Sequence, residues 1–385
     1  MWSRLSTRRA FPSRRDASSK PRGRIRQGDL NPSQKARIQA RSAVNRLTRL
    51  AIRDELTRKR LIVAHSNLRY LVGRKSLDLP ALTDVDAVLL QRHFPVREMY
   101  RGNAFYGISE ALKAFAELDE PINACIEHGV YFGDYVNPLE AEMSGLPAVI
   151  TFSETRKMHL AATTHKPIFP IGPYIWYAKP YLDKSSSEEL RRQLGRVLLV
   201  FPTHSLDAIG SHFDVAQFIR SVDNFTQTHS FDHVLVCIYW RDYELGMHSP
   251  YLEHGYGVAS AGRRGDPRFL PRLRSLIELS SHTISNSVGT HVGYSVSLGR
   301  GHTILPQQVQ FRHLASGDLG GESLGGSHYR REQEQAEVLA AFDQYMGIVS
   351  EDQLDVVDKY WGLRLLRSQG ELRSILETCQ RAASQ

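Results

Sequence analysis

Residues 258–305 read VASAGRRGDPRFLPRLRSLIELSSHTISNSVGTHVGYSVSLGRGHTIL, and the reading of this stretch decides the fold. Phe269, Leu270, Leu273, Leu276 and Ile277 recur at helical spacing, while Thr283-Ile284-Ser285 and residues 302–305 are short strand-like runs. The rhythm is strand, helix, strand, helix, strand. Between the second strand and the second helix lies Ser285-Asn286-Ser287-Val288-Gly289-Thr290-His291, small and hydroxylated, with Gly289 free to take unusual backbone angles. Such a loop can present backbone N–H groups and hydroxyls to a phosphate, because the helix that follows offers unpaired amides and a positive dipole end. A plainer reading is that Ser285 and Asn286 cap that helix.

Working outward, 385 residues suit two domains, each able to bury a core, and a 41% hydrophobic content is that of an ordinary globular protein. No apolar run approaches the roughly 20 residues that a membrane span requires, and no secretory signal core follows the basic N-terminus. The three cysteines, Cys125, Cys237 and Cys379, form no CxxC pair, which argues against a disulfide framework or a zinc site and fits a reducing cytoplasm. Residues 1–60 hold 18 Lys/Arg against 4 Asp/Glu; with the whole chain at +8, residues 61–385 carry −6. Basicity therefore belongs to a tail, residues 1–41, which is rich in Arg, Ser and Pro and reads as disordered. Three roles compete for it: a solvated tail without a partner, a patch that holds the protein near anionic lipid, and a nucleic-acid arm; an organellar transit peptide shares its composition. Nothing resembling a nucleic-acid-binding module follows, so no nucleic-acid partner is expected.

In chain order, residues 42–59 are patterned as an amphipathic helix, and Leu61-Ile62-Val63-Ala64 reads as a first strand, with residues 87–94 near a second element. A helix is expected over 108–118. Ala124-Cys125-Ile126 then ends in Glu127-His128-Gly129, Pro147 to Thr151 ends in Phe152-Ser153-Glu154, and a short strand at 168–171 ends in Gly172-Pro173. Residues 180–189 read as a linker, with Ser185-Ser186-Ser187-Glu188 capping a helix over 188–194. A second series follows: Val197 to Phe201 ends in Pro202-Thr203-His204-Ser205, and His233 to Ile238 ends in Tyr239-Trp240-Arg241. Val258-Ala259-Ser260 ends in Gly262-Arg263-Arg264, and Ile284 ends in the loop already described. In an open α/β sheet, ligands bind beyond the carboxyl ends of the strands, and here strand after strand finishes in polar residues. The fold expected is α/β: an N-terminal Rossmann-like unit over 42–184, a C-terminal one over 185–315, and a cleft between them. Residues 316–385 add a glycine-rich mobile loop at 316–327, a helix over 329–345, and another opened by a capping box at Ser350-Glu351-Asp352-Gln353.

Glu127-His128-Gly129, the segment Val149-Ile150-Thr151-Phe152-Ser153-Glu154 leading to Ile171-Gly172-Pro173, and SNSVGTHVGYSVSLGR at 285–300 resemble the GT-B glycosyltransferases of bacterial surface-polysaccharide clusters, including relatives of the CDP-glycerol transferases of teichoic acid synthesis. The resemblance covers residues 60–310 as architecture. It implies that the first unit binds a glycan or lipid-linked acceptor and supplies the base. It implies that the second unit binds a nucleotide-sugar donor, with phosphates near Ser285, Asn286, Ser287, Gly289, Thr290 and His291. Base and ribose contacts would fall near Thr203, His204, Ser205, Arg241 and Arg263. Where the teichoic-acid relatives have His-Gly-Thr, this chain has His128-Gly129-Val130.

Direct sugar transfer needs a base for the acceptor hydroxyl and donors for the departing phosphate. His128 is the favoured base, with Glu127 orienting it or acting in its place; Asp134 and Glu154 are the other acids beyond strand ends. His204, Arg241, Arg263, Arg264 and His291 are candidates for the leaving group. A second Glu-His-Gly at Glu253-His254-Gly255 reads as a helix C-terminus and is structural. Asp84-Val85-Asp86 is the one Asp-x-Asp near an expected strand, but Thr83-Asp84 looks like a helix start, so neither a metal nor another cofactor is expected. The reading is a cytoplasmic, metal-independent, inverting transferase of surface-polysaccharide synthesis, peripheral at the membrane if the tail engages lipid. A nucleotide-sugar epimerase of the UDP-GlcNAc 2-epimerase kind and a non-catalytic binding module are the alternatives.

Overall fold

The computed structural model describes residues 52, 54–73, 81–136, 145–206, 209–314 and 328–382. The basic tail, most of the helix expected over 42–59 and the glycine-rich loop at 316–327 lie outside the described residues. Among the described residues no helix is long and apolar enough to cross a membrane.

The architecture is α/β with two parallel sheets. The first contains β1 (Cys125–Ile126), β2 (Val149–Thr151) and β3 (Ile168–Pro170), paired in that order. The second contains β4 (Val197–Phe201), β6 (His233–Cys237), β7 (Gly257–Ala259), β8 (His282–Ser285) and β9 (Gly301–Ile304). A separate antiparallel pair is made by β5 (Ile209–His212) and β10 (Gln310–His313). All five residues of β4 and all four of β8 and β9 are buried, as strands covered on both faces must be.

The five-stranded sheet runs β7-β6-β4-β8-β9. Counting only its own strands along the chain, that is third, second, first, fourth, fifth, the order of a doubly wound parallel sheet. The chain winds outward from β4 in one direction, then returns to β8 and winds in the other. In sheets of this order the ligand crevice falls outside the carboxyl ends of the strands at which the order reverses, here β4 and β8.

The C-terminal helices hold the two sheets together. Helix Glu351–Trp361 touches both helix Glu154–Ala161, beyond β2, and helix Thr290–Ser297, beyond β8. Trp361 is completely buried and its indole N–H donates to the Thr290 carbonyl at 3.1 Å. Its ring lies so close to Gly293 that a Cβ there would fall 2.2 Å from Cγ, a contact that only glycine permits. A comparable approach occurs at Gly362, with φ +70°, where a Cβ would meet the Phe152 carbonyl oxygen 2.2 Å away. One apolar cluster consequently runs from Ile126 and Phe152 through Trp361 to Val292 and Leu199.

Several expected elements differ. Leu61-Ile62-Val63-Ala64 is not a strand but part of helix Glu55–Gly73. Leu61 and Ile62 are exposed there, so the run lacks the two-sided burial of a parallel strand. Residues 87–90 likewise belong to helix Val85–Leu90, whose N-cap Asp84 accepts from the Ala87 amide. The helix expected over 188–194 begins earlier, at Lys184, because Asp183 rather than a serine caps it. Helices Ile108–Ala116 and Phe269–Leu279 and the Ser350/Gln353 capping box match their expected places. The β5/β10 pair was not expected: IGSH and QFRH carry no apolar alternation.

Candidate functional site

At the crevice, β4 ends in Thr203 and β8 ends in Asn286 and Ser287. The Asn286 Oδ1 accepts from the Thr203 amide at 2.7 Å and from its hydroxyl at 2.8 Å, and the Thr203 and Ser287 hydroxyls are 2.6 Å apart. Asn286 is buried and its Nδ2 donates to Gln307, so it works as the pin that joins the two strand ends. Ser285 is buried beneath it and donates to the Ser287 carbonyl at 2.8 Å. Ser287, Gly289 and Thr290 are half-exposed and form the accessible rim.

Gly289 is the N-cap of helix Thr290–Ser297, without a side-chain cap. Neither Ser285 nor Asn286 caps the helix. The expected special backbone angle at Gly289 is also corrected: φ is −162°, extended backbone open to any residue, and glycine is needed because a Cβ would sit 2.7 Å from the His291 ring. The helix therefore meets the crevice with first-turn amides facing no capping side chain, which leaves its positive end available to an anion.

From the other sheet, the loop after β1 reaches this helix end. The Val130 amide donates to Thr290 Oγ1 at 3.2 Å, and Gly129 lies where a Cβ would be 3.6 Å from the same oxygen. His128 precedes them, half-exposed, with Phe105, Tyr106 and Tyr131 rings at 5.3, 6.1 and 6.5 Å from its own. The structure thus brings the segment that carries His128 against the start of helix Thr290–Ser297, although 160 residues separate Val130 from Thr290.

Glu127 occupies a different environment. It is 1% exposed, its carboxylate accepts from Arg156 Nε and Nη2 at distances down to 2.6 Å, and the Thr151 hydroxyl donates to it at 2.7 Å. A carboxylate in that bidentate pair is enclosed, with its oxygens already engaged. It ties the end of β1 to β2 and to the helix at Glu154–Ala161. Glu154 itself is exposed and pairs with Lys157 at 3.2 Å.

The residues expected to contact base and ribose divide. His204 is exposed, tilted over the Tyr239 ring at 4.5 Å. Ser205 is buried, and both oxygens of buried Asp242 accept its amide at 3.1 Å, which fixes the turn carrying Thr203 and His204. Burial pushes the Asp242 carboxyl upward, against the pull of His204 and the Ser205 N–H. Arg241 and Arg263 turn away from an open ligand role: both pair with Glu244, at 3.4 and 3.0 Å, and Arg263 Nε donates to the Leu89 carbonyl. Arg264 stacks on Phe105, its guanidinium 4.3 Å from the ring centre.

His291 is corrected as a source of positive charge. Its ring stacks on Phe201 at 4.9 Å, its Nε2 is buried, and burial, reinforced by His204, pushes its pKa down to about 3. It is neutral at physiological pH. Asp84 caps helix Val85–Leu90 by accepting from the Ala87 amide, and Asp86 accepts from the Tyr243 hydroxyl at 2.8 Å. Among the described residues no group of three or more His, Cys, Asp or Glu is arranged to hold a metal.

Sequence reasoning missed Arg156, Asp242, Trp361 and Tyr106. The last stands at φ +59°, unusual for a non-glycine residue, with its amide bonded to the Arg264 carbonyl at 2.6 Å across the two halves. Gly293 in a helix was the one available signal of close approach.

No family model and no curated protein matches the chain. Among solved structures, it is similar to the UDP-GlcNAc 2-epimerase from Neisseria meningitidis bound to UDP-GlcNAc, with TM-score 0.34 and 11% identity over 71% of this chain and 73% of that one. It is similar also to the wall teichoic acid polymerase TagF, with TM-score 0.36 and 10% identity over 67% and 68% of the two chains. A third is the S. aureus MnaA–UDP co-structure, with TM-score 0.33 and 8% identity over 69% and 68%.

Proposed function

We propose that the chain is a glycosyltransferase that binds a nucleotide-sugar donor in the crevice between β4 and β8 and transfers the sugar to a hydroxyl of a glycan or lipid-linked glycan acceptor, without a metal. The observation that carries this reading is the hydrogen-bonded Thr203, Asn286 and Ser287 cluster at the point where strand order reverses, faced by the uncapped start of helix Thr290–Ser297. Ligands of doubly wound sheets bind at that point, and a helix N-terminus favours a diphosphate.

In this reading the donor diphosphate lies on the amides and hydroxyls of Ser287 to Thr290, which stabilise the charge that develops as it departs. His128 takes the proton of the attacking hydroxyl as general base. Phe105, Tyr106 and Tyr131 hold its ring in place. Glu127 serves as an anchor rather than a base, because its oxygens are already engaged by Arg156 and Thr151. The basic tail adds attraction to an anionic membrane surface, where lipid-linked acceptors reside.

The test is a thermal-shift panel of CMP, CDP, UDP, GDP and UMP against wild type and Ser287→Ala/Thr290→Ala, since a ligand that binds the native state raises the melting point. One nucleoside diphosphate should stabilise the wild type more than its monophosphate, with the effect reduced in the double variant. Absence of any response would remove the donor site. Turnover of a nucleotide sugar without an acceptor would replace transfer by epimerisation.

A further inference from the structure

Below the rim loop lies a chain of buried polar side chains. His302 on β9 is completely buried, with Thr283 Oγ1 2.7 Å from Nδ1 and Ser285 Oγ 3.0 Å from Nε2. Ser285 Oγ is in turn 2.8 Å from the Ser287 carbonyl, and Thr283 Oγ1 is 3.2 Å from the Gly301 carbonyl. Each hydroxyl has one hydrogen, and a neutral imidazole has one N–H, so two arrangements are open. In the first, Thr283 donates to Nδ1, Nε2–H donates to Ser285, and Ser285 donates to the Ser287 carbonyl. In the second every donor is reversed: Ser285 donates to Nε2, Nδ1–H donates to Thr283, and Thr283 turns to Gly301.

The distances separate them. The first arrangement uses contacts of 2.7, 3.0 and 2.8 Å, whereas the second exchanges the 2.8 Å bond for the 3.2 Å one and withdraws Ser285 from the Ser287 carbonyl. Burial excludes the doubly protonated ring, since desolvation together with neighbouring His291 and His282 holds the His302 pKa well below the ordinary histidine value. The ring is neutral, and its environment selects the Nε2–H tautomer.

We propose that His302, as the Nε2–H tautomer, is a positioning residue that acts through Ser285 to hold the Ser287 carbonyl and so presets the Ser287-to-Thr290 rim for an anionic ligand. Preorganisation of this kind improves binding by removing the cost of ordering the loop when the ligand arrives. The proposal rests on the reading of that rim as the diphosphate site. His302 itself is sealed from the crevice and touches no ligand.

The experiment compares the full chain as wild type, His302→Ala, His302→Gln and Ser285→Ala. Glutamine presents one acceptor and one donor and can stand in for the two ring nitrogens; alanine cannot. Amide hydrogen exchange without ligand should show the amides whose acceptors lie in the rim loop, Thr203 and Gln307 on Asn286 and Val292 on the Gly289 carbonyl, exchanging about tenfold faster in His302→Ala and Ser285→Ala, the equivalent of one lost hydrogen bond, with protection restored in His302→Gln. Uniform loss of protection across β8 and β9 with no rescue by glutamine would make the role merely structural and overturn the proposal. Nitrogen-15 NMR of histidine-labelled wild type should show Nε2 protonated and Nδ1 bare at both pH 6 and pH 8, and the opposite tautomer would overturn it as well. Should His302→Ala fail to fold, Ser285→Ala cuts the same relay at a smaller residue. A UDP and CDP titration then separates the two claims. If no nucleotide binds wild type, the donor-site reading fails, while exchange and NMR still decide the relay.

Discussion

Acid should unfold this protein through histidines that its core keeps neutral, and His282 gives the clearest case. It is 2% exposed, packed among the rings of Tyr345 at 4.8 Å, Phe225 at 5.8 Å and Phe231 at 6.2 Å. Its Nε2 bonds to Thr303 Oγ1 at 2.9 Å and its buried Nδ1 has no hydrogen-bond partner. Burial, reinforced by His229 and Arg196, pushes its pKa from 6.5 down to about 3. The native ring therefore stays neutral while the unfolded ring takes a proton, so stability is complete above pH 6.5 and drains as pH falls from there toward about 3. At pH 5.0 the unfolded state gains about 2 kcal/mol from this one proton, against less than about 0.1 kcal/mol at pH 7.5. Urea unfolding of wild type and His282→Gln at both pH values isolates it. Whatever the substitution costs at pH 7.5, the loss on going to pH 5.0 should be about 2 kcal/mol smaller in the variant, with m unchanged. Equal pH dependence in the two proteins would refute the assignment of a buried, neutral His282.

Two further substitutions test the frame around the site. Arg156→Ala leaves the Glu127 carboxylate enclosed without its guanidinium partner, and breaking a buried pair from one side costs about 3–5 kcal/mol; urea unfolding should show a loss of that order, larger than in a Glu127→Gln/Arg156→Met double variant. Gly293→Ala places a methyl 2.2 Å from Trp361 Cγ. Overpacking should outweigh the gain in helix propensity and cost about 1–3 kcal/mol, and Trp361 emission should shift to the red as the ring leaves its seat; unchanged stability and emission would show that the contact is not as close as described.

The second sheet was legible because its strands are continuous apolar runs separated by helical periods; the polar strand ends suggested a cleft between two domains, and the structure brings Thr203, Asn286 and Ser287 together at the ends of β4 and β8 within one sheet. Strand order was not legible, since β4 and β8 pair in a register 84 residues apart, with Thr203 meeting Ser287, and nothing local records that pairing. The first sheet was harder. Leu61 to Ala64 is four apolar residues, too few to distinguish strand from helix by period alone, and the helix won. Glu127 showed as an acid at a strand end, yet its partner Arg156 lies 29 residues further on and carries no signal of its own. Arg241 and Arg263 followed strands as a phosphate clamp would, but Glu244, one helical turn beyond Arg241, claims both. Charge at a strand terminus marks where a ligand could bind and leaves open whether the protein has already used it.

The most direct measurement is a calorimetric titration of UDP and CDP, with UMP and CMP as controls, into wild type and Ser287→Ala/Thr290→Ala. A diphosphate held at the β4/β8 crevice should bind wild type, exceed its monophosphate in affinity, and lose about tenfold or more in the double variant, in line with charge-assisted hydrogen bonds of about 1.5–3 kcal/mol. Equal affinity in wild type and variant, or no heat with any nucleotide, would contradict the placement of a donor site at this crevice.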